Sequence, residues 1–431
     1  MPQIQPFAGW RYDPGKADPA LVTLPSRHRL SPEAQAELYR LNDRNAVRLV
    51  CGRVFPSDAQ HNDCYSRAAS HLDAWRAEGL FLQDKPAIYV YQHDFIYNGA
   101  PRARRGFFAR VLISDENGVM PCSRALPERT EDRLRLRRAA RADLEPVFGL
   151  LTDPSGDISS SLYNMCQYEP AADFTDSDGT RHRLWVFDDP EQAPAFCAGC
   201  GRESIFIADG HARYAAARAY RDEVRAAMEK AGQTPPEPGG LAEDFVMMFI
   251  VPDGDPGMTL LPVHRLLRGV SGLELLPKRL QENFTLEKTS GMEALEKRLA
   301  AHPAPAFGLS SKNGLYAVCL KDQAVFDRRT NDAPTLRGSA AAALQRLILQ
   351  DLLNIDESKS AREENVVYTP NTAAAIDAVK SGKEGVQCAF LLRTPAPAVF
   401  RTAARAGVKL PAQSAHFFPD PRAGMVFNFF W

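Results

Sequence analysis

The sequence predicts an α+β protein in which helices pack against mixed sheets, with a second α/β part following the first. Three observations carry that expectation. Strand-like and helix-like segments alternate along all 431 residues rather than segregating by type. KPAIYVYQHDFIY (85–97) and RRGFFARVLISD (104–115) alternate apolar and polar residues on either side of the turn NGAPRA, the pattern of an antiparallel hairpin. SIFIADGHARYAAARAYRDE (204–223) passes from an apolar run through Asp209-Gly210 into alanine-rich helical spacing, which reads as strand, turn and helix.

The elements follow in order. Residues 1 to about 30 carry many Pro and Gly and read as extended chain, ended by Ser31-Pro32-Glu33, a cap with proline at the first helical position. Helical spacing covers 32–42 and 62–78, and the hairpin comes next. EDRLRLRRAARADLEPVFGLLTD (131–153) begins as a helix that must stop before Pro146 and continues as a strand over 147–152. HRLWVFDD (182–189) is a strand entered from the turn-rich DFTDSDGT. Ser204–Ala208 is another strand, and a helix starts at His211, where Asp209 is placed to cap the first turn. AGQTPPEPGGLAED (231–244) is the strongest linker signal, so the chain is expected to divide into 1–232, a linker over 233–244, and an α/β part over 245–431 that opens with FVMMFIV. In that part, helices at about 273–283, 292–301, 335–353 and 371–381 alternate with strands at 306–310, 315–319 and 387–392, and an aromatic VFNFFW ends it.

Composition excludes several classes. Lys plus Arg number 52 against 53 Asp plus Glu, a net charge of −1, so nothing draws the chain generally to nucleic acid or anionic membrane. No helix-turn-helix pattern supports DNA binding. No basic-then-apolar leader and no run of about 18 apolar residues is present, so a cytoplasmic protein without a membrane partner is expected. Eight cysteines are too sparse for a disulfide framework and read as reduced thiols.

Five segments could carry chemistry. At Asp209-Gly210-His211-Ala212-Arg213, amides of the helix start together with Arg213 could hold a phosphate, and Asp209 or His211 could move a proton or position a metal. The plain alternative is a capped turn with an exposed histidine, since neither phosphate-loop glycine fingerprint is present. His264-Arg265 stand inside the apolar LLPVHRLL, where burial would be costly unless they face a polar cleft, the alternative being a strand end open to solvent. Cys197-Ala-Gly-Cys200 has zinc or dithiol spacing but stands alone; only a ligand brought in by folding, such as Cys122 or Cys166, would complete a metal site. Arg133, Arg137 and Arg141 share a helix face that could bind phosphate, although nearby Glu131, Asp132, Asp143 and Glu145 favour a solvated, carboxylate-paired face. Asp173, Asp176, Asp178, Asp188 and Asp189 lack calcium-loop spacing and read as solvated turn.

Read together, QPFAGWRY, NAVRLV, EDRLRLRRAARADLEPVFGLLTD, RHRLWVFDD, IADGHARY, FVMMFIV with LPVHRLL, and LPAQSAHFFPDPRAG come in an order that resembles the bacterial and archaeal domain-of-unknown-function family 1015, from end to end of the chain. The family's D-G-H-x-R core is similar to that of ParB-like and sulfiredoxin-like proteins and of free-serine kinase. The resemblance therefore implies a phosphate-handling fold, Mg²⁺, a donor such as ATP, ADP or pyrophosphate, and a small-molecule acceptor such as L-serine. It implies catalytic roles for Asp209 and His211, with phosphate or substrate contacts from Gly210, Arg213, His264, Arg265 and Ser414; Gly424 also matches the closing segment. Ala212 replaces the family's second His, and Val263 a Thr. Where the family has P-P-Y-D this chain has Pro25-Ser26-Arg27-His28, which makes His28 the candidate proton acceptor. Where it has H-E-x-T the chain has Cys122-Ser123-Arg124-Ala125, and Gln413 and Asp420 replace two lysines. Two acids and two lysines are lost while the apolar framework stays, which leaves two readings: a divergent serine-kinase-like phosphotransferase, or a non-catalytic relative that binds an anion or nucleotide or acts as a scaffold.

Overall fold

The computed structural model describes residues 1–25, 30–59, 62–114, 118–302, 305–330, 334–361 and 364–431. It forms two units: Met1–Met120, Pro127–Met258 and Pro419–Trp431 make the first, Pro121–Leu126 and Thr259–Phe418 the second. The class is α+β, as expected. Among the described residues no helix is long and apolar enough to cross a membrane.

The first unit is built on a nine-stranded sheet. Its strands are β1 (Ile4–Gln5), β2 (Ile88–Tyr97), β3 (Ala100–Leu112), β4 (Val119–Pro121), β5 (Val147–Leu151), β6 (Ala172–Thr175), β7 (Arg181–Phe187), β8 (Ile205–Asp209) and β9 (Phe245–Pro252). They lie in the order β6-β7-β2-β3-β9-β5-β8-β4, with β1 on β3. The hairpin β2–β3 is tighter than expected. Asn98 (φ 50°) and Gly99 (φ 75°) both take positive φ, so Tyr97 pairs directly with Ala100 and most of NGAPRA is strand. The unit's longer helices are α1 (Pro32–Leu41), α2 (Cys64–Ala77), α3 (Pro127–Ala140), α4 (Asp157–Met165), α5 (Gln192–Cys200) and α6 (His211–Lys230). Ser31 accepts from the Ala34 amide and caps α1, the start that Ser-Pro-Glu announced.

One sheet face carries Val90, Phe107, Val111, Val147, Ile207 and Ile250, packed with residues of α4, α5 and α6. The other face is aromatic, with Tyr91, Phe108, Phe148 and Phe249 in ring contact. The VFNFFW tail belongs to a further core, where Phe427 and Phe429 meet Tyr12, Trp75 and Phe81.

The boundary expected at 233–244 falls elsewhere. β9 pairs antiparallel with β3 and parallel with β5, so the strand expected to open the second part is central to the first. The Pro/Gly-rich segment is a loop within the first unit, held where Asp244 accepts from the Gly239 and Leu241 amides and from Arg225.

The second unit has a six-stranded sheet in the order β11-β13-β12-β15-β10-β14. Here β10 is His264–Arg268, β11 Phe284–Thr289, β12 Ala306–Ser311, β13 Gly314–Leu320, β14 Val366–Thr369 and β15 Val386–Leu391. Its pairings are antiparallel. Helices α7 (Met292–Ala300) and α8 (Thr372–Ser381) contribute Leu295, Leu299, Ala375 and Val379 to its core. The helix expected over 335–353 is broken into a 3-10 turn, a short α-helix capped by Ser339, and a π-helix over Leu344–Gln350.

Candidate functional site

β8 ends on a bulge. Ile207 pairs with Gly149 and Asp209 with Phe148, which leaves Ala208 as the extra residue. Directly paired residues of an antiparallel ladder share a face, so the bulge brings Asp209 onto the aromatic face with Phe148, whereas strict alternation would send it the way of Ile207. Gly210 follows at φ 85°, and a Cβ there would lie 2.8 Å from Arg213 Nε and 3.2 Å from Val147 Cα. Only glycine fits. Gly210, not Asp209, is the N-cap residue of α6. Asp209, one residue earlier, accepts from Arg213 Nη2 at 2.9 Å.

Arg213 is 9 % exposed and sits between two carboxylates, its Nη1 lying 3.3 Å from Glu145 Oε1. Glu145 also pairs with Arg133 at 2.9 Å. These residues line a cavity of ≈ 40 Å³ with Arg137 and Asp143. His211, the first residue of α6, is half-buried. The turn thus presents Asp209, His211 and a helix N-terminus together, with Arg213 braced from below.

The second unit holds three of the expected residues. The solvent-open reading of His264 and Arg265 does not hold: β10 is interior, between β15 and β14, and the two side chains are 1 % and 2 % exposed. His264 Nδ1 accepts from the Leu392 amide at 3.1 Å, so its proton is on Nε2 and is donated to Thr372 Oγ1 at 2.8 Å. Burial, and then Arg265, push this imidazole down to about 4, so it is neutral at pH 7. Arg265 donates to the Val263 carbonyl and lies 5.4 Å over the Tyr368 ring, and burial lowers it to about 10. Ser414 donates to the Pro411 carbonyl and lines a cavity of ≈ 400 Å³ with His302, Arg337, Ser339 and Arg393. His28 lies outside the described residues.

The structure also shows a polar row that the sequence reading passed over. His182, His93 and Arg104 are register partners on β7, β2 and β3, so they stand side by side on the aromatic face. His182 Nε2 lies 2.9 Å from Asp176 Oδ2, which also accepts from Arg422 Nη1 at 2.9 Å. Asp176 is therefore not a solvated turn residue. Burial would raise its carboxyl, but His182, the Thr180 amide and Arg422 hold it below the usual range. The signal was available: Arg104, Gly106 and Phe108 alternate onto one face of a strand whose other face carries Phe107, Ala109 and Val111.

Other candidates resolve into structure. Arg133 and Arg137 are paired with Glu145 and Asp143, as expected, but Arg137 is buried and Arg133 largely so, rather than solvated. Cys197 and Cys200 are buried in α5, and burial pushes the Cys197 thiol up to about 12. Among the described residues no three His, Cys, Asp or Glu side chains converge on a metal position.

Set against known proteins, residues 4–350 match the family model described as "Protein of unknown function (DUF1015)". No curated protein matches. Among solved structures, the chain is similar to a conserved hypothetical protein from Pyrococcus furiosus, at 13 % identity and TM-score 0.38 over 73 % of this chain and 93 % of that one. It is similar to a free serine kinase in complex with AMP, at 12 % identity and TM-score 0.37 over 73 % and 89 %. It is also similar to C-terminally truncated SbnI from Staphylococcus aureus, at 10 % identity and TM-score 0.37 over 73 % and 85 %.

Proposed function

Because the chain belongs to the DUF1015 family, whose name leaves function open, we propose one from the site itself: transfer of a phosphoryl group to the hydroxyl of a small amino acid such as L-serine. The donor is ATP, ADP or pyrophosphate. The observation that carries this reading is the turn at β8–α6, where a bulge and a left-handed glycine put Asp209, His211 and the head of a long helix at one corner. Phosphoryl transfer asks mainly for positioned cations and an oriented hydroxyl. In this reading Asp209 orients the acceptor hydroxyl, and His211 with the α6 N-terminus holds the phosphate around Gly210. Arg213, its charge matched by Asp209 and Glu145, acts mainly by fixing Asp209. Mg²⁺ would be held by Asp209 and the donor's own phosphates, since no three-ligand cluster is found among the described residues. His28 is proposed as proton acceptor. Within the second unit, Arg265 and Ser414 are proposed as contacts for an anion bound to that unit, and neutral, doubly bonded His264 as framework.

Purified protein with Mg²⁺, L-serine and each donor in turn is expected to form phosphoserine, and Asp209→Asn to abolish it. No product with any donor, in an assay where a relative retaining the acids and lysines works, rejects the reading. Arg213, matched by Asp209 and Glu145, brings no net positive charge to stabilise a transferring phosphoryl group, which favours a second reading: a non-catalytic protein that binds a phosphate-bearing metabolite through the α6 N-terminus. Stabilisation by phosphate or nucleotide in a thermal melt, without turnover, is its signature.

A further inference from the structure

On the aromatic face of the first unit's sheet, one buried guanidinium has two nitrogens with no hydrogen-bond partner among the described residues. Arg104 is 0 % exposed. Its guanidinium lies over Phe148 at 5.0 Å and Phe249 at 5.7 Å. Nη2 donates to the Pro419 carbonyl and lies 3.4 Å from His93 Nδ1, while Nε and Nη1 have no hydrogen-bond partner. The charges of Asp255 and Asp420 act on it, but no hydrogen bond joins either carboxylate to Nε or Nη1; Asp255 accepts from the Gly257 amide at 2.8 Å and the Arg105 amide at 3.2 Å. His93 is as deeply buried. A guanidinium can only donate, so His93 Nδ1 must accept and the ring proton is on Nε2, which also has no partner.

Three N–H-bearing nitrogens therefore face no acceptor. An unpaired buried charge is among the most costly features a fold can hold, and a methionine would fill the same aromatic slot without that cost. The position is also informative. Phe148, over which the guanidinium lies, is the register partner of Asp209. We infer that Arg104, assisted by His93, is an oxyanion ligand that takes the phosphoryl or carboxylate group of the small molecule engaged at the Asp209 turn. Donors without acceptors select a group that only accepts, and Arg213, already matched by two carboxylates, cannot serve as that counter-charge. The inference rests on the proposed function only for the nature of the molecule.

The test is binding to the full chain, by thermal melt and calorimetry, of inorganic phosphate, pyrophosphate and L-serine. Wild type, Arg104→Met and His93→Phe are compared. Phosphate or pyrophosphate binding assigns the phosphoryl group, and L-serine binding the carboxylate. Arg104→Met is expected to melt no lower than wild type in buffer yet to bind about tenfold to hundredfold more weakly. His93→Phe, which keeps the ring packed on Phe249, is expected to weaken binding by about tenfold and decides the matter should Arg104→Met fail to fold. Arg104→Met binding as wild type does overturns the inference, and so does a wild type that responds to none of the three. Arg104-dependent binding without phosphoserine formation would discard the proposed activity and keep this site; phosphoserine formation that Arg104→Met leaves unchanged would do the reverse.

Discussion

At the scale of single residues, Gly210 and His264 show how differently two motif positions are held. Gly210 has φ 85° and no room for a Cβ against Arg213 and Val147. Gly210→Ala is expected to cost about 2 kcal/mol or more in urea unfolding, from left-handed strain and from the shift forced on Arg213. Gly199→Ala is the control, since that glycine lies in α5 with nothing within 4 Å, and it is expected to be neutral or stabilising. His264 makes a pH prediction. Burial lowers it from its unfolded value near 6.5 to about 4, so the unfolded chain binds more protons between those values. Stability is complete above pH 6.5, falls as the pH drops toward 4, and loses nothing more to this group below that. The loss is about 3 kcal/mol at most. His264→Gln is expected to flatten that limb of the stability profile; an unchanged slope in the variant would reject the assignment.

At the scale of elements, much that holds the site is local, and that part could be read directly. Asn-Gly between alternating strands, Ser-Pro-Glu before α1, and Asp-Gly-His between an apolar run and an alanine-rich run each carry their signal within a few residues. The bulge at Ala208 could not be read, because it is a mismatch between β8 and β5 and belongs to neither sequence alone. Nor could the burial of His264 and Arg265, which depends on β14 pairing outside β10; VVYT is too short a run to announce that strand. Asp143 shows the same long-range dependence with a measurable consequence. It pairs with Arg137 of α3, accepts from the Met247 amide of β9 at 2.9 Å and from Asn428 Nδ2 of the tail at 3.1 Å. Asp143→Ala would leave a buried guanidinium and a buried amide unmatched, and is expected to cost about 3–5 kcal/mol in equilibrium unfolding. A cost under 1 kcal/mol would show that the three elements hold together without it.

At the scale of the whole molecule, composition misplaced the division for a definite reason. Proline and glycine over 231–244 mark a loop, and a loop is a boundary only when the strands on either side of it stop pairing. Here they do not: α6 before it and β9 after it are both parts of the first unit, and Arg225 on α6 pairs with Asp244 at 2.7 Å across it. The chain instead crosses between units at Met120–Pro121, Leu126–Pro127, Met258–Thr259 and Phe418–Pro419, where the loop runs PDGDPG (252–257) and PDPRAG (419–424) are shorter than 231–244 and so give the weaker composition signal. Cleaving the 234–240 loop at an inserted protease site is therefore expected to leave the two fragments associated, eluting together with a melting temperature only a few degrees lower. Neither fragment is expected to fold alone. A chain starting at 245 would carry β9, buried along its whole length between β3 and β5, with both edges and both faces uncovered, and should aggregate. Independent, monodisperse folding of residues 245–431 would overturn this division and restore the boundary that composition points to.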